Sequence, residues 1–259
     1  MKFVPKELDE TADVSRGKRT VESWLGAAIK TAVGLLAAYI VIGLLADVIV
    51  YNISSETEAN WFAEFGRVVG ARRPKDDADF ERAKRILEKL KSSADLRPLP
   101  YELALIDLAA PNAVAVPGGC IGVTRSLLQE VETEKGLAMV LAHEFGHHQH
   151  RHCLERLGRA LLFGLALNFV VGDSNWIIES AVAVAEAGWS RDQEREADEF
   201  GLRLVHQAYG DTEGCLEFFK LVREKYDERH AIFVGFFATH PLTEERLETL
   251  RELQRELNR

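Results

Sequence analysis

His143, Glu144 and His147 carry the spacing H-E-x-x-H inside MVLAHEFGHHQHRH, residues 139–152. On a helix, residues four apart share a face. Two imidazoles can therefore point at one spot, with Glu144 beside it. Such a set suits a zinc-dependent hydrolase: two histidine ligands to the ion and a carboxylate that takes a proton from water. The six residues ahead of it, Leu137 to Ala142, are all apolar and predict a buried helix. Phe145 and Gly146 fill the x positions without charge. The pattern is short, however. A histidine-rich surface helix would also carry it, the more so with His148, His150 and His152 following. Context has to decide.

A catalytic zinc needs a third protein ligand and an open position for water. The stretch WSRDQEREADEFG, residues 189–201, offers one. Glu194 and Asp198 are four apart on an expected helix. Glu194 can be the third ligand, and Asp198, one turn on, can accept the ring N–H of a ligand histidine and fix its tautomer. Glu196 is expected to face elsewhere, toward solvent. The plain alternative is a charged helix face. His150 is the other candidate ligand, but a straight helix does not wrap three ligands around one ion. The longer pattern H-E-x-x-H-x-x-G-x-x-H is absent, with His150 and Cys153 standing where it needs Gly and His. His240 precedes Pro241 and is held extended or in a turn. It could reach the cleft and hydrogen-bond a tetrahedral intermediate, although a lone surface histidine is the commoner case.

The elements that must position these groups follow from the patterning. Residues 1–30 are polar and mixed in charge, and are read as a flexible tail. Residues 31–51, TAVGLLAAYIVIGLLADVIVY, have Asp47 as their only charge and make about 31 Å of helix, enough to cross a bilayer core. Basic residues Arg16, Lys18, Arg19 and Lys30 precede the span, whereas residues 52–66 contain three glutamates and no Lys or Arg. This asymmetry puts the N-terminus in the cytoplasm and the rest of a single-pass protein outside it, in a bacterium on the periplasmic side of the inner membrane. Residues 52–73 read as a linker or short helix, and 74–259 as the metallopeptidase domain. Pro74 should open an amphipathic helix with Phe80, Ala83, Ile86, Leu87 and Leu90 at core spacing. A strand is expected within YELALIDLAA. Ala113–Val116 and Cys120–Thr124 should be strands about a Pro-Gly-Gly turn. A strand edge of this kind could bind an extended substrate through Asn112, Ala113, Val114, Ala115 and Val116; an ordinary core hairpin would look the same. Residues 160–187 hold two apolar runs of about a dozen residues, read as helices packed on the domain or dipping into the membrane face.

Composition is that of a globular protein, with 47% hydrophobic and 28% charged residues among 259. A formal net charge of -9 argues against a nucleic-acid partner. Three cysteines do not make a disulfide framework and read as small buried residues.

Taken together, PNAVAVPGG with VTRSLL, LAHEFGHHQHRH, SRDQEREAD and THPLTEER resemble the HtpX-type and CAAX-prenyl-protease family of membrane zinc peptidases, family forty-eight of the metallopeptidases. Order and spacing agree from about residue 74 to the end. The resemblance implies a mainly α gluzincin-type fold with a small β-sheet, behind one N-terminal transmembrane helix. It implies one Zn2+ held by His143, His147 and Glu194, with Glu144 as general base and Asp198 behind the ligands. His240 and Arg246 become active-site residues outside the metal shell, and the strand near Asn112 binds substrate. One clear span, where HtpX-type members carry several, brings the chain nearer to shorter quality-control members. The partners expected are unfolded or extended protein substrates and the lipid bilayer. A metal-binding chaperone or holdase with vestigial activity is the alternative.

Overall fold

The computed structural model describes residues 21–69, 77–171, 188–220 and 239–259. The chain divides into two compact units, residues 1–44 and 45–259. Helix α1 (Val21–Asn52) begins ten residues ahead of the apolar run, because VESWLGAAIK has no helix breaker and Gly26 alone is a weak former. Within it Trp24–Asn52 is long and apolar enough to cross a membrane, with a mean hydropathy of 2.5. In the first unit Leu25, Ile29, Val33, Leu36, Ile40 and Leu44 are each more than half exposed. A soluble amphipathic helix would show one buried apolar stripe instead.

The second unit opens with the last turns of α1. Asp47 pairs with Arg159 through two contacts of 2.8 and 2.9 Å. Helix α2 (Ser55–Val69) occupies most of the stretch expected as a linker. Ser54 Oγ accepts the Thr57 N–H at its start, and Glu56 and Glu58 suit its positive end. Helix α3 (Ala78–Ser92) starts at an Asp77 cap that accepts from the N–H groups of Asp79 and Phe80. The expected opening at Pro74 lies outside the described residues. Its apolar face is the expected one: Phe80, Ala83, Ile86, Leu87 and Leu90 are buried.

Three strands form the sheet: β1 (Glu102–Ile106), β2 (Ala113–Val116) and β3 (Cys120–Thr124), in the order β1-β3-β2. β1 runs parallel to β3, with Leu103 opposite Ile121, and β2 runs antiparallel, with Ala115 opposite Ile121. The turn between β2 and β3 needs glycine, since Gly118 and Gly119 have φ of 90° and 99°. Thr124 ends β3 and caps the short α4 (Arg125–Glu130). Thr133 caps α5 (Glu134–Gln149). Every residue of α5 from Gly136 to His148 is buried, so this is the central helix, surrounded on all sides. Helix α6 (His152–Val171) carries the first of the two late apolar runs; residues 172–187 lie outside the described set. Helix α7 (Arg191–Tyr209) starts with a Ser190–Gln193 capping box and stops at Gly210, φ 82°. Leu216, Phe218 and Phe219 join the core. Helix α8 (Glu244–Leu257) closes the domain.

Candidate metal centre

The site is built on α5 and α7, which touch backbone to backbone. A Cβ at Gly146 would lie 2.7 Å from Ala197 Cα, and one at Gly201 would lie 2.9 Å from the His143 nitrogen. The helices run antiparallel, each turning a glycine to the other. That approach brings Glu194 and Asp198 of α7 onto the face of α5 that carries His143 and His147.

Four side-chain atoms then converge. His143 Nε2 is 3.1 Å from His147 Nε2 and 3.1 Å from His240 Nδ1. Glu194 Oε1 is 2.9 Å from His240 Nδ1 and 3.5 Å from His147 Nε2. All four residues are buried. Ligands at about 2.0–2.1 Å in a tetrahedron stand about 3.3 Å apart, so these separations are those of a coordination shell. His240 thus sits among the ligand atoms, closer in than the sequence suggested. A buried backbone bond from the Trp189 N–H to the Thr239 carbonyl, 2.8 Å, ties the segment before His240 to the start of α7.

Partners behind the imidazoles fix which nitrogen faces inward. Asp198 Oδ1 lies 2.9 Å from His143 Nδ1, so that nitrogen donates and Nε2 presents a lone pair. His147 Nδ1 lies 2.9 Å from His152 Nδ1, and His152 Nε2 lies 3.0 Å from Glu196 Oε2. The consistent assignment is Nδ1–H of His147 donating to His152, and Nε2–H of His152 donating to Glu196. Glu196 is exposed, as expected, and it also ends this chain of bonds. Two lone pairs 3.1 Å apart repel unless a proton or a cation lies between them, and a borderline divalent ion suits a histidine and carboxylate set. The donor set fits zinc on these grounds.

Charge is arranged accordingly. Burial holds the His147 pKa well below its usual value, and holds His240 at about 4 against the pull of Glu194. Both rings stay neutral, as a histidine ligand such as His147 must. Burial would lift Glu194, but His240 and His143 outweigh it and keep it ionised. Arg246 contributes at second hand. Its Nη2 lies 2.8 Å from Asp198 Oδ1, its Nε bonds Asp198 Oδ2, and its Nη1 pairs with Glu194 Oε2. One guanidinium thereby spans the carboxylate ligand candidate and the one behind His143.

Glu144 is fully buried, and neither carboxylate oxygen has a hydrogen-bond partner of good geometry. His240 Nε2 is 3.6 Å from Oε1. Burial raises the Glu144 pKa to about 7. Stranding such a carboxylate costs several kcal/mol unless its neutral form or a later partner compensates, as at many catalytic bases. The Ala115 N–H of β2 faces it. Since the Thr124 N–H bonds the Asn112 carbonyl, alternation points the backbone groups of Val114 and Val116 at β3 too, and those of Ala113 and Ala115 outward. Among the described residues the outward Ala115 carbonyl accepts from the Cys153 thiol, 3.3 Å away. Asn112 and Ala113 are themselves buried.

Two contributors escape motif reading. Trp189 stacks on His147, with centroids 4.3 Å apart and planes at 21°, and the Arg156 guanidinium covers the indole at 3.4 Å. His152 was visible only as one more histidine; nothing in the spacing distinguished it from His150.

The profile described as peptidase family M48 matches residues 77–254. The mitochondrial metalloendopeptidase OMA1 of Schizosaccharomyces pombe is 30% identical, over 65% of this chain and 51% of its own length. That of Saccharomyces cerevisiae is 31% identical, over 55% and 43%. A protease HtpX homolog of Pyrococcus abyssi is 25% identical, over 86% of this chain and 88% of its own. This chain thus spans about half the length of the first two relatives. With a mainly helical domain, a three-stranded sheet and a buried H-E-x-x-H helix, the chain belongs to peptidase family M48, the metallopeptidases.

Proposed function

We propose that this protein is a membrane-anchored zinc endopeptidase that cleaves extended segments of misfolded or membrane-associated proteins in quality control. His143, His147 and Glu194 would hold the ion, and Glu144 would be the general base. The observation that carries this reading is the spacing of the ligand atoms, 3.1 and 3.5 Å around His147 Nε2, beside a buried carboxylate with no hydrogen-bond partner of good geometry among the described residues.

Zinc, when bound, supplies Lewis acidity toward water and the scissile carbonyl. The chain's own groups do the rest. Glu144 takes the proton of the attacking water on a carboxylate oxygen and delivers it to the leaving amine nitrogen. Its raised pKa makes it a base matched to near-neutral pH. His240, whose neutral ring borders the metal position, would donate an N–H to the developing oxyanion. Asp198 holds the His143 tautomer, and Arg246 keeps Asp198 and Glu194 ionised and in place. A peptide would pair as an added strand with the outward backbone of Ala113 and Ala115, displacing a thiol from the Ala115 carbonyl. Asn112, Val114 and Val116 would set the position of that edge. The acidic stretch after the span and the basic residues before it support a cytoplasmic N-terminus and a domain outside the cytoplasm.

The test uses the full chain in detergent with casein as substrate. Cleavage should be abolished by a chelator and restored by zinc, and Glu144→Gln should keep its zinc while losing cleavage. Undiminished cleavage by that variant eliminates Glu144 as the base. Casein held soluble but uncut by the zinc-loaded protein would favour the holdase instead.

A further inference from the structure

Beside the ligands lies a second group of metal-binding side chains, His150, His152 and Glu196, whose ligand atoms all fall within 4.8 Å of one another. The backbone brings them together. Helix α5 ends at His150, Arg151 turns the chain with φ 61°, and α6 begins at His152. The reversal lays the two rings side by side, 5.4 Å apart and within 17° of parallel. Arg151 is held in this turn by donating to the carbonyls of Val50 and Ile53, at 2.8 and 2.6 Å. Glu196 reaches in from α7, 3.0 Å from His152 Nε2. His150 and Glu196 are exposed and His152 is buried, so the site opens to solvent at one side.

We propose that His150, His152 and Glu196 form a second cation site, selective for zinc-like transition ions, and that filling it weakens metal binding by His147. Two imidazoles and one carboxylate favour zinc, nickel or copper over magnesium or calcium, which prefer oxygen ligands. The antagonism follows from counting protons between His147 and His152. When only the first site is filled, His147 presents Nε2 inward and donates Nδ1–H to the lone pair of His152 Nδ1, 2.9 Å away. A cation on His152 Nε2 displaces the proton there. A neutral His152 must then carry its proton on Nδ1, where it faces the Nδ1–H of His147. One N–H has to turn away or be lost to water, and the bond that orients His147 is broken. The coupling is reciprocal: an ion at either site lowers affinity at the other. The antagonism rests on His147 being a ligand; the second site itself does not.

The experiment counts zinc on the full chain in detergent, equilibrated against buffered free zinc, and measures casein cleavage in the same buffers. Wild type should bind one zinc tightly and a second more weakly, and lose cleavage as the second loads. His150→Ala and the gentler His150→Gln should bind one zinc only, cleave normally at low free zinc, and need at least about tenfold more zinc for inhibition, the usual scale of a lost orienting partner. The proposal is overturned if wild type binds a single zinc, if the variants keep the second, or if filling the second leaves cleavage unchanged. A protein that cleaves nothing at any zinc level defeats the catalytic reading, whereas the zinc count still decides on this site.

Discussion

Replacing Gly146 with alanine tests whether the spacing of α5 and α7 sets metal affinity. The new Cβ would lie 2.7 Å from Ala197 Cα and 2.8 Å from its carbonyl oxygen, whereas ordinary contact starts at 3.4 Å. The obstructing atoms are backbone, so no side chain can swing aside. The helices must part by roughly 0.7 Å, an overpacking that costs about 1–3 kcal/mol. Alanine recovers about 0.5–1 kcal/mol over glycine within a helix, leaving the metal-free protein about 1–2 kcal/mol less stable. Glu194 rides on α7, and metal–ligand distances tolerate only about 0.2 Å. Zinc affinity should fall by about ten- to a hundredfold, as when a group orienting a ligand is lost. Competition with a chromogenic chelator measures the affinity, and thermal unfolding of the chelated protein measures stability. Gly201→Ala, which would press on the His143 backbone, should reproduce both effects. An unchanged zinc affinity with a raised Tm, the behaviour of an unconstrained helical glycine, would refute the argument.

Asp198→Asn should leave a folded protein that binds zinc about ten- to a hundredfold less tightly, because His143 loses its charged acceptor and Arg246 loses a carboxylate; chelator competition reads this directly. Arg97→Ala should destabilise by about 3–5 kcal/mol in urea titrations, since Glu58, 2% exposed and 2.6 Å from Arg97 Nη2, would be left as a buried unpaired charge. In the chelated protein Glu144 should withdraw at most about 3 kcal/mol of stability as pH rises from about 4.5 to 7, because its folded pKa of about 7 makes the folded state bind more protons there, whereas His147 and His240, whose pKa values burial lowers, contribute the opposite slope. Glu144→Gln should remove the Glu144 contribution, so that wild type and variant differ more at pH 7.5 than at pH 5.

How far the sequence could be read depended on the range of the interaction that fixes each feature. Helices α3, α4, α5, α7 and α8 are signalled by local chemistry: Asp77, Thr124, Thr133, Ser190 and Thr243 each cap the first turn through a side-chain oxygen. The β2–β3 hairpin announces itself through Pro117, Gly118 and Gly119. Convergence of Glu194 with His143 could be conjectured, because the carboxylate at i and the carboxylate at i+4 address a ligand and its partner at once. Helix α2 was harder, since its anchor, the buried Glu58–Arg97 pair, joins positions 39 residues apart. Trp189 and His152 were not legible as contributors at all. Both act by contact with His147, and neither a stacked indole nor an imidazole accepting from another imidazole leaves a spacing pattern. Glu196 reads as a solvent-facing carboxylate, which it is; its bond to His152 is not legible, because only the turn at Arg151 brings the two together.

That turn also joins α5 and α6 to the end of α1. A non-glycine residue in the left-handed region costs about 1–2 kcal/mol, and a glycine at 151 would remove the cost. An arginine is present instead, and its guanidinium bonds two carbonyls at the end of α1, groups that a helix C-terminus leaves without intrahelical partners. Charge-assisted bonds of this kind contribute about 1.5–3 kcal/mol each, more than the strain. The same residue therefore ends the helix of His147, starts the helix of His152 and fastens both to the last turn of the apolar helix. With Asp47 and Arg159 paired alongside, the junction of α5 and α6 is joined to the end of α1 through half-buried and exposed polar bonds. A loosened attachment would be felt first at Arg151, and from there by the imidazoles on either side of it.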